Sequence, residues 1–125
     1  MKLEDICEAW EKDGPVDTIN ITNESANTPK LHNKYFKIYM GEGYVLRKMK
    51  ADYKKLFKLK TEYYRGELDV TELAQFGWQP QPLKILKQDI PSYLEADDDI
   101  IESSLKIGAQ EQKVAYLESI LKLIG

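Results

Sequence analysis

Apolar residues recur along this chain at three- and four-residue steps, the spacing of one helix face. Nowhere do they alternate with polar residues long enough to make a strand. The clearest stretch runs from Tyr44 to Arg65, YVLRKMKADYKKLFKLKTEYYR. At about 100° per residue, Leu46, Met49, Tyr53, Leu56, Phe57, Tyr63 and Tyr64 share one broad apolar stripe. Arg47, Lys50, Lys54, Lys58 and Arg65 share the opposite sector, with Lys48 and Lys55 beside it. Lys60 breaks the sorting, because it falls inside the apolar stripe among Leu56, Phe57, Tyr63 and Tyr64. A helix over 44–65 would present a basic ridge roughly 30 Å long. Tyr53 and Phe57 are read as core packing.

The remaining elements follow from similar signals. Leu3, Ile6, Cys7 and Trp10 predict a short amphipathic helix, stopped by Gly14-Pro15, with Glu4 and Asp5 suited to its first turn. Residues 17–28 read as a loop or a short helix. Thr28-Pro29 predicts a helix start, with Thr28 as N-cap and Pro29 at the first helical position. Leu31, Tyr35, Phe36, Ile38 and Tyr39 carry its stripe, and Gly41 and Gly43 are placed to break or kink it. Gly66, just past Arg65, suits a left-handed cap. A helical turn is expected from about Thr71 to Phe76, then a loop with Gly77, Pro80 and Pro82. Leu83, Ile85 and Leu86 predict another short piece, stopped near Pro91.

The last long helix is expected over about 96–124. Its heptad positions are Ile100, Ser103, Ile107, Gln110, Val114, Leu117, Leu121 and Ile124, a coiled-coil-like seam with two polar interruptions. Val114, Leu117, Leu121 and Ile124 form its most continuous part and are expected to join copies of the chain. The competing arrangement packs them inside one subunit against Leu31, Tyr35 and Ile38. The predicted fold class is all-α, with elongated helices. A length of 125 residues makes one domain, spanning 1–125, the default. Long helices in so short a chain often complete their burial against another copy.

Charge adds an asymmetry that the net value of −3 hides. The 44–65 segment holds eight of the 18 basic residues against only Asp52 and Glu62, a local charge of +6. Residues 1–28 carry two basic and seven acidic side chains, and residues 66–104 carry two and nine. A polyanion partner is therefore compatible with an acidic chain. A merely solvated helix face usually mixes signs to gain i,i+4 pairs, and this one does not. Cations beside the Tyr63-Tyr64 rings suit single-stranded nucleic acid, which is held by phosphate contacts and by stacking. The alternatives are a helical adaptor whose basic helix docks an acidic protein surface, and a helix lying on an acidic membrane. The Tyr-rich apolar face and the acidic arms weaken the membrane reading.

Enzyme chemistry is missing, so no catalytic residue is assigned. His32 is the only histidine and Cys7 the only cysteine. Neither a metal-ligand cluster nor a cofactor motif occurs, and the Gly41–Gly43 run GEG lacks the Lys-Ser/Thr of a phosphate loop. Asp97-Asp98-Asp99 is read as charging the start of the last helix, with a divalent cation as the alternative. A single cysteine excludes an internal disulfide framework and allows a reducing compartment. No apolar run reaches about 18 residues, so no membrane span is expected. The acidic start MKLEDICEAW is unlike a signal peptide. These features favour a cytosolic location.

The start MKLEDI, the stretch FKLKTEYYRG and the final YLESILKLIG resemble the UvsY family of recombination mediators of T-even type bacteriophages. The likeness covers nearly the whole chain thinly and is most specific around Lys58 to Gly66. It implies an all-helical, non-enzymatic protein assembled as a ring of about six or seven copies. It also implies binding to single-stranded DNA, displacement of the phage single-strand-binding protein and loading of a UvsX-type, RecA-like recombinase. The location implied is the cytoplasm of the infected bacterial host. The family's DNA-binding motif is a basic-x-basic pair followed by an acidic residue and two tyrosines. Here it reads Lys58, Leu59, Lys60, Thr61, Glu62, Tyr63, Tyr64. Lys58 and Lys60 are therefore the first DNA-binding candidates, with Tyr63, Tyr64, Arg65, Lys54, Lys55, Arg47, Lys48 and Lys50 beside them. Lys60 stands where an Arg also occurs, which forgoes bidentate phosphate contacts. Family members continue past Gly125 with a basic and aromatic tail, so a shorter variant or a truncated chain is expected here.

Overall fold

The computed structural model describes residues 1–14, 21–80 and 84–124, and of residues 21–27 the backbone alone. The described elements are α1 (Leu3–Asp13), α2 (Ile21–Tyr64), α3 (Val70–Phe76), a 3₁₀ turn (Lys87–Asp89), α4 (Ile90–Glu95) and α5 (Asp98–Ile124). No strand occurs among the described residues. No helix among them is long and apolar enough to cross a membrane. The chain gathers into two compact units, one of Met1–Lys48 with Gly108–Gly125 and one of Met49–Ile107.

Several local stops read from the sequence do not act as stops. Pro29 lies inside α2, which is continuous over 44 residues. Proline forfeits one hydrogen bond and crowds the preceding turn, but a helix can carry that cost of about 3 kcal/mol. Gly41 and Gly43 also sit within α2, each costing about 1 kcal/mol relative to alanine without ending the helix. Glu42 between them is buried and tied to α5, which holds the helix through the pair. Pro91 starts α4 instead of stopping a helix, because a first-turn proline has no partner to lose. Ile85 and Leu86 are not helical. Pro15, residues 17–20, Pro82 and Leu83 lie outside the described residues.

Other signals act as read. Gly14 closes α1. A Cβ there would come within 2.8 Å of the Trp10 ring and of its carbonyl oxygen, so this approach requires glycine. Gly66 adopts φ 74°. Its N–H donates to the Tyr63 carbonyl and the Glu67 N–H to the Glu62 carbonyl, both at 3.0 Å, the paired bonds of a Schellman cap.

The first unit is built on a core of Ile6, Tyr35, Leu117 and Ile120, all fully or almost fully buried. Trp10, Leu31, Ile38, Tyr39, Leu121 and Ile124 pack around it. Trp10 meets the Tyr35 ring edge-on at 5.5 Å between centroids, and the Tyr35 hydroxyl donates to Asp13 at 2.9 Å. Each fully buried aliphatic side chain contributes about 1.5–3 kcal/mol. Leu117 was expected at a contact between copies. It has no exposed surface left to offer, because α1 and α2 already cover it. Leu121 and Ile124 are half-buried against the same core, and Val114 is half-buried. The intrasubunit arrangement of the seam is thus the one this chain adopts at Leu117.

Gln110, a polar interruption of the heptad pattern, is buried and filled by a partner. Its amide donates to the Glu42 carbonyl oxygen at 2.9 Å and to the Glu42 carboxylate at 2.8 Å. Lys113 stands 3.6 Å from that carboxylate, and the Met1 amine 2.7 Å from it. Burial alone would raise the Glu42 pKa. The amine and amide hydrogen bonds and the Lys113 charge outweigh that and hold it below its ordinary value.

Leu117→Ala is expected to cost about 2–5 kcal/mol in denaturant unfolding, by cavity formation. Leu117→Asp should unfold the first unit. Unchanged stability with smaller particles in sedimentation would return Leu117 to an interface. The lowered Glu42 pKa also has a sign. The stabilisation is complete above the ordinary carboxylate value of 4.5 and is lost as pH falls through the lower folded value. A thermal melt of Glu42→Gln should therefore show a lower Tm than the parent near neutrality and a smaller further drop below pH 4.5.

Candidate nucleic-acid interface

The 44–65 stretch forms the last part of α2, and burial sorts it as the pattern predicts with two exceptions. Met49, Tyr53, Leu56, Tyr63 and Tyr64 are half-buried in or at the edge of the second unit. Lys50, Lys54, Lys55, Lys58 and Arg65 of that unit are exposed. Among the described residues, no ion pair ties any of these five to a carboxylate. Arg47 and Lys48, which belong to the first unit, are exposed as well. Lys50, Lys54 and Lys58 follow one another at four-residue steps and so occupy one side of the helix. Their ammonium groups are exposed and open to phosphates.

Lys60 is the first exception. It was expected beside Lys58 at the DNA face, and it is 5% exposed instead. Residues two apart on a helix lie about 200° apart around its axis, so Lys58 and Lys60 leave α2 on different sides. The Lys60 ammonium lies 3.2 Å from Asp97 and 2.8 Å from Asp99. It also stands 3.9 Å over the Trp78 ring centroid and 5.4 Å from that of Tyr63. Taking a lone ammonium out of water would cost several kcal/mol, so these partners are what permit its burial.

Asp97 is the other half of this arrangement. One carboxylate oxygen accepts the Ile100 N–H at 3.0 Å and caps the start of α5. The other accepts from the Tyr64 hydroxyl and faces Lys60. Burial pushes the Asp97 pKa up, but the hydrogen bonds from Tyr64, the Ile100 N–H and Lys60 prevail and hold it below the usual carboxylate range. The Tyr64 phenol is pushed up, first by burial and then by the Asp97 carboxylate. The acidic run 97–99 therefore supplies a helix cap and a counter-charge.

Tyr63 and Tyr64 were expected as stacking platforms for bases. Both are engaged within the unit. The Tyr63 hydroxyl donates to the Gln79 carbonyl at 2.6 Å, and its ring packs 5.3 Å from Trp78. Tyr64 packs 5.6 Å from Tyr93. Lys60, Tyr63 and Tyr64 thus bolt α2 to the start of α5 and to residues 78–80. Trp78, Tyr93 and Asp97 are partners that pattern reading did not assign. The only sequence signal was the misplaced Lys60, which had to find a counter-charge somewhere.

Phe57 is the second exception. Read as core, it is 43% exposed. It forms a tilted pair with Tyr53, 6.3 Å between centroids, and both line a cleft with Ile90 and Leu94 of α4.

Residues 9–125 match the family model described as UvsY, recombination, repair and ssDNA binding protein. The recombination protein uvsY of Enterobacteria phage T4 is 26% identical over 102 residues, covering 82% of this chain and 69% of that protein. A crystal structure of the bacteriophage T4 recombination mediator protein UvsY superposes with a TM-score of 0.82 at 21% identity, over 99% of this chain and 87% of that one. A second lattice form gives a TM-score of 0.81 at 22% identity, over 99% and 85%. With nearly its whole length matched by the family model, and with a helical fold shared with those structures, this chain belongs to the UvsY family of recombination, repair and ssDNA binding proteins.

Proposed function

We propose that this protein is a non-enzymatic recombination mediator that holds single-stranded DNA on the exposed cations of α2. The observation that carries the proposal is the row Lys50, Lys54, Lys58 with Lys55 and Arg65, exposed and without an ion pair among the described residues, in a chain of this family. Arg47 and Lys48 add charge at the neighbouring turns of the same helix. In this proposal Lys60, Tyr63 and Tyr64 position the row and do not themselves meet the strand. Phosphate contacts of this kind are indifferent to sequence, as a mediator acting along any strand requires.

Binding energy then does the work that an enzyme would take from ATP. A homo-oligomeric ring would present many such rows, and each contact after the first becomes nearly intramolecular. A strand drawn over that ring is bent away from the shape a competing single-strand-binding protein prefers. The freed strand is then offered to a RecA-like recombinase, in the cytoplasm of the infected host. With Leu117 committed to the core, the half-buried Val114, Leu121 and Ile124 and the exposed Phe36, Met40 and Tyr44, which follow one another along α2 of the first unit at helical steps, are among the apolar positions left to join copies.

Fluorescence anisotropy of a labelled oligonucleotide across salt concentrations tests the DNA reading. If all five exposed cations of the second unit meet phosphates, the slope of log K against log salt should be about −3.5 per subunit, at −0.7 for each contact. Lys54→Ala with Lys58→Ala should flatten it by about 1.4. Salt-insensitive binding, or a strong preference for one sequence, would sink the proposal. Negligible binding to any oligonucleotide would favour docking to an acidic protein surface.

The division between contact and support is tested separately. Lys58→Ala should weaken DNA binding with Tm unchanged. Lys60→Ala should cost about 3 kcal/mol or more of stability, because it leaves Asp97 buried without its counter-charge. Were Lys60→Ala as stable as the parent yet poor at binding DNA, the Lys60 ammonium would belong on the strand after all.

A further inference from the structure

The second unit contains a cleft of about 440 Å³ beside the basic row. Tyr53 and Phe57 of α2 line it on one side, and Ile90 and Leu94 of α4 on another. Exposed Arg65 and Lys87 also line it, against the single carboxylate of Glu95. Its chemistry is therefore aromatic and apolar inside, with a cationic excess at the solvent side. Phe57 is the largest exposed apolar side chain in that wall, at 43%. Its outer side stays open among the described residues, and a neighbouring turn supplies Tyr53 as a tilted aromatic partner.

An occupant of this cleft must bring an apolar face and a negative charge together. A nucleobase with its flanking phosphates does so. Arg65 makes the connection specific, since it lies both in the sector of Lys50, Lys54 and Lys58 and in the wall of the cleft. Phe57 is flanked along α2 by Lys54 one turn before and Lys58 immediately after. We propose that this cleft is a base-binding site, in which an unpaired base of single-stranded DNA stacks on Phe57 while Arg65 and Lys87 hold the adjoining phosphates. This rests on the reading of the basic row as the DNA-binding surface. Stacking tolerates any base, because every base has a π-face, so the site adds affinity without sequence preference. It also explains how a strand can be gripped although Tyr63 and Tyr64 are engaged elsewhere.

The test compares two strands of equal length and phosphate count, oligothymidylate and an abasic oligomer. Wild-type protein should prefer the base-bearing strand about tenfold, within the range of stacking on one aromatic side chain. Phe57→Ala should bring the two affinities together, moving the abasic one far less. Phe57→Leu, which keeps apolar cover but removes the π-face, should do the same with its melting curve intact. Lys54→Ala with Lys58→Ala should instead lower both affinities in parallel. Equal binding of both strands by the wild type would overturn the base site and leave the basic row standing. Failure to bind either strand would overturn both. A preference that survives both Phe57 variants would place base contacts elsewhere and overturn the assignment. A change in particle size in Phe57→Leu with the preference intact would assign the cleft to a second copy of the chain, again overturning it.

Discussion

A lysine buried where a hydrophobe belongs governs the second unit. Lys60 lies at the centre of the apolar stripe of α2, and its charge is tolerated only because Asp97, Asp99 and the Trp78 ring receive it. That requirement fixes much else. Asp97 must stand at the start of α5, where it also caps the helix. Trp78 must reach back over the ammonium, which draws residues 77–80 against α2. Because Lys60 points inward, Lys58 two residues earlier points outward. The placement of the exposed cations is thus a consequence of the buried one.

The first unit uses the same physics with different groups. Glu42 is buried between two glycines of α2, and Gln110 interrupts the apolar seam of α5. Each would be costly alone, since an unpaired buried polar group loses its water without replacement. Together they satisfy one another, with Lys113 and the Met1 amine completing the carboxylate's partners. Such clusters discriminate between packings more sharply than aliphatic contacts do. Sliding one helix by a turn would exchange one leucine contact for another, but it would strand a carboxylate or an amide. In both units a polar residue on an apolar face marks where α2 meets α5.

For function, the consequence is a separation of tasks along one helix. The face toward each unit's interior carries rings, aliphatic groups and the paired charges. The outer face of the second unit carries cations that no carboxylate within the described residues neutralises. On the reading proposed above, a single-stranded polyanion is the counterion these cations take up.

Much of this was legible in the residues themselves. The helical character, the basic ridge, the end of α2 at Gly66, the anionic start of the last helix at 97–99 and the family likeness are local properties. Each depends on residues within a turn or two of one another, so spacing and residue type suffice to read them. The family motif likewise lies within seven consecutive positions. Pro29, Gly41 and Gly43 were misread for a related reason. A local penalty of 1–3 kcal/mol looks decisive in isolation, yet packing over many residues outweighs it. What only the tertiary structure decided concerns partners distant along the chain. It paired Lys60 with Asp97 and Gln110 with Glu42, gave Leu117 to the unit's own core, and left Phe57 open beside α4. Periodicity reports which side chains share a face, but not what that face meets. That depends on the entropy and geometry of bringing segments dozens of residues apart into one register.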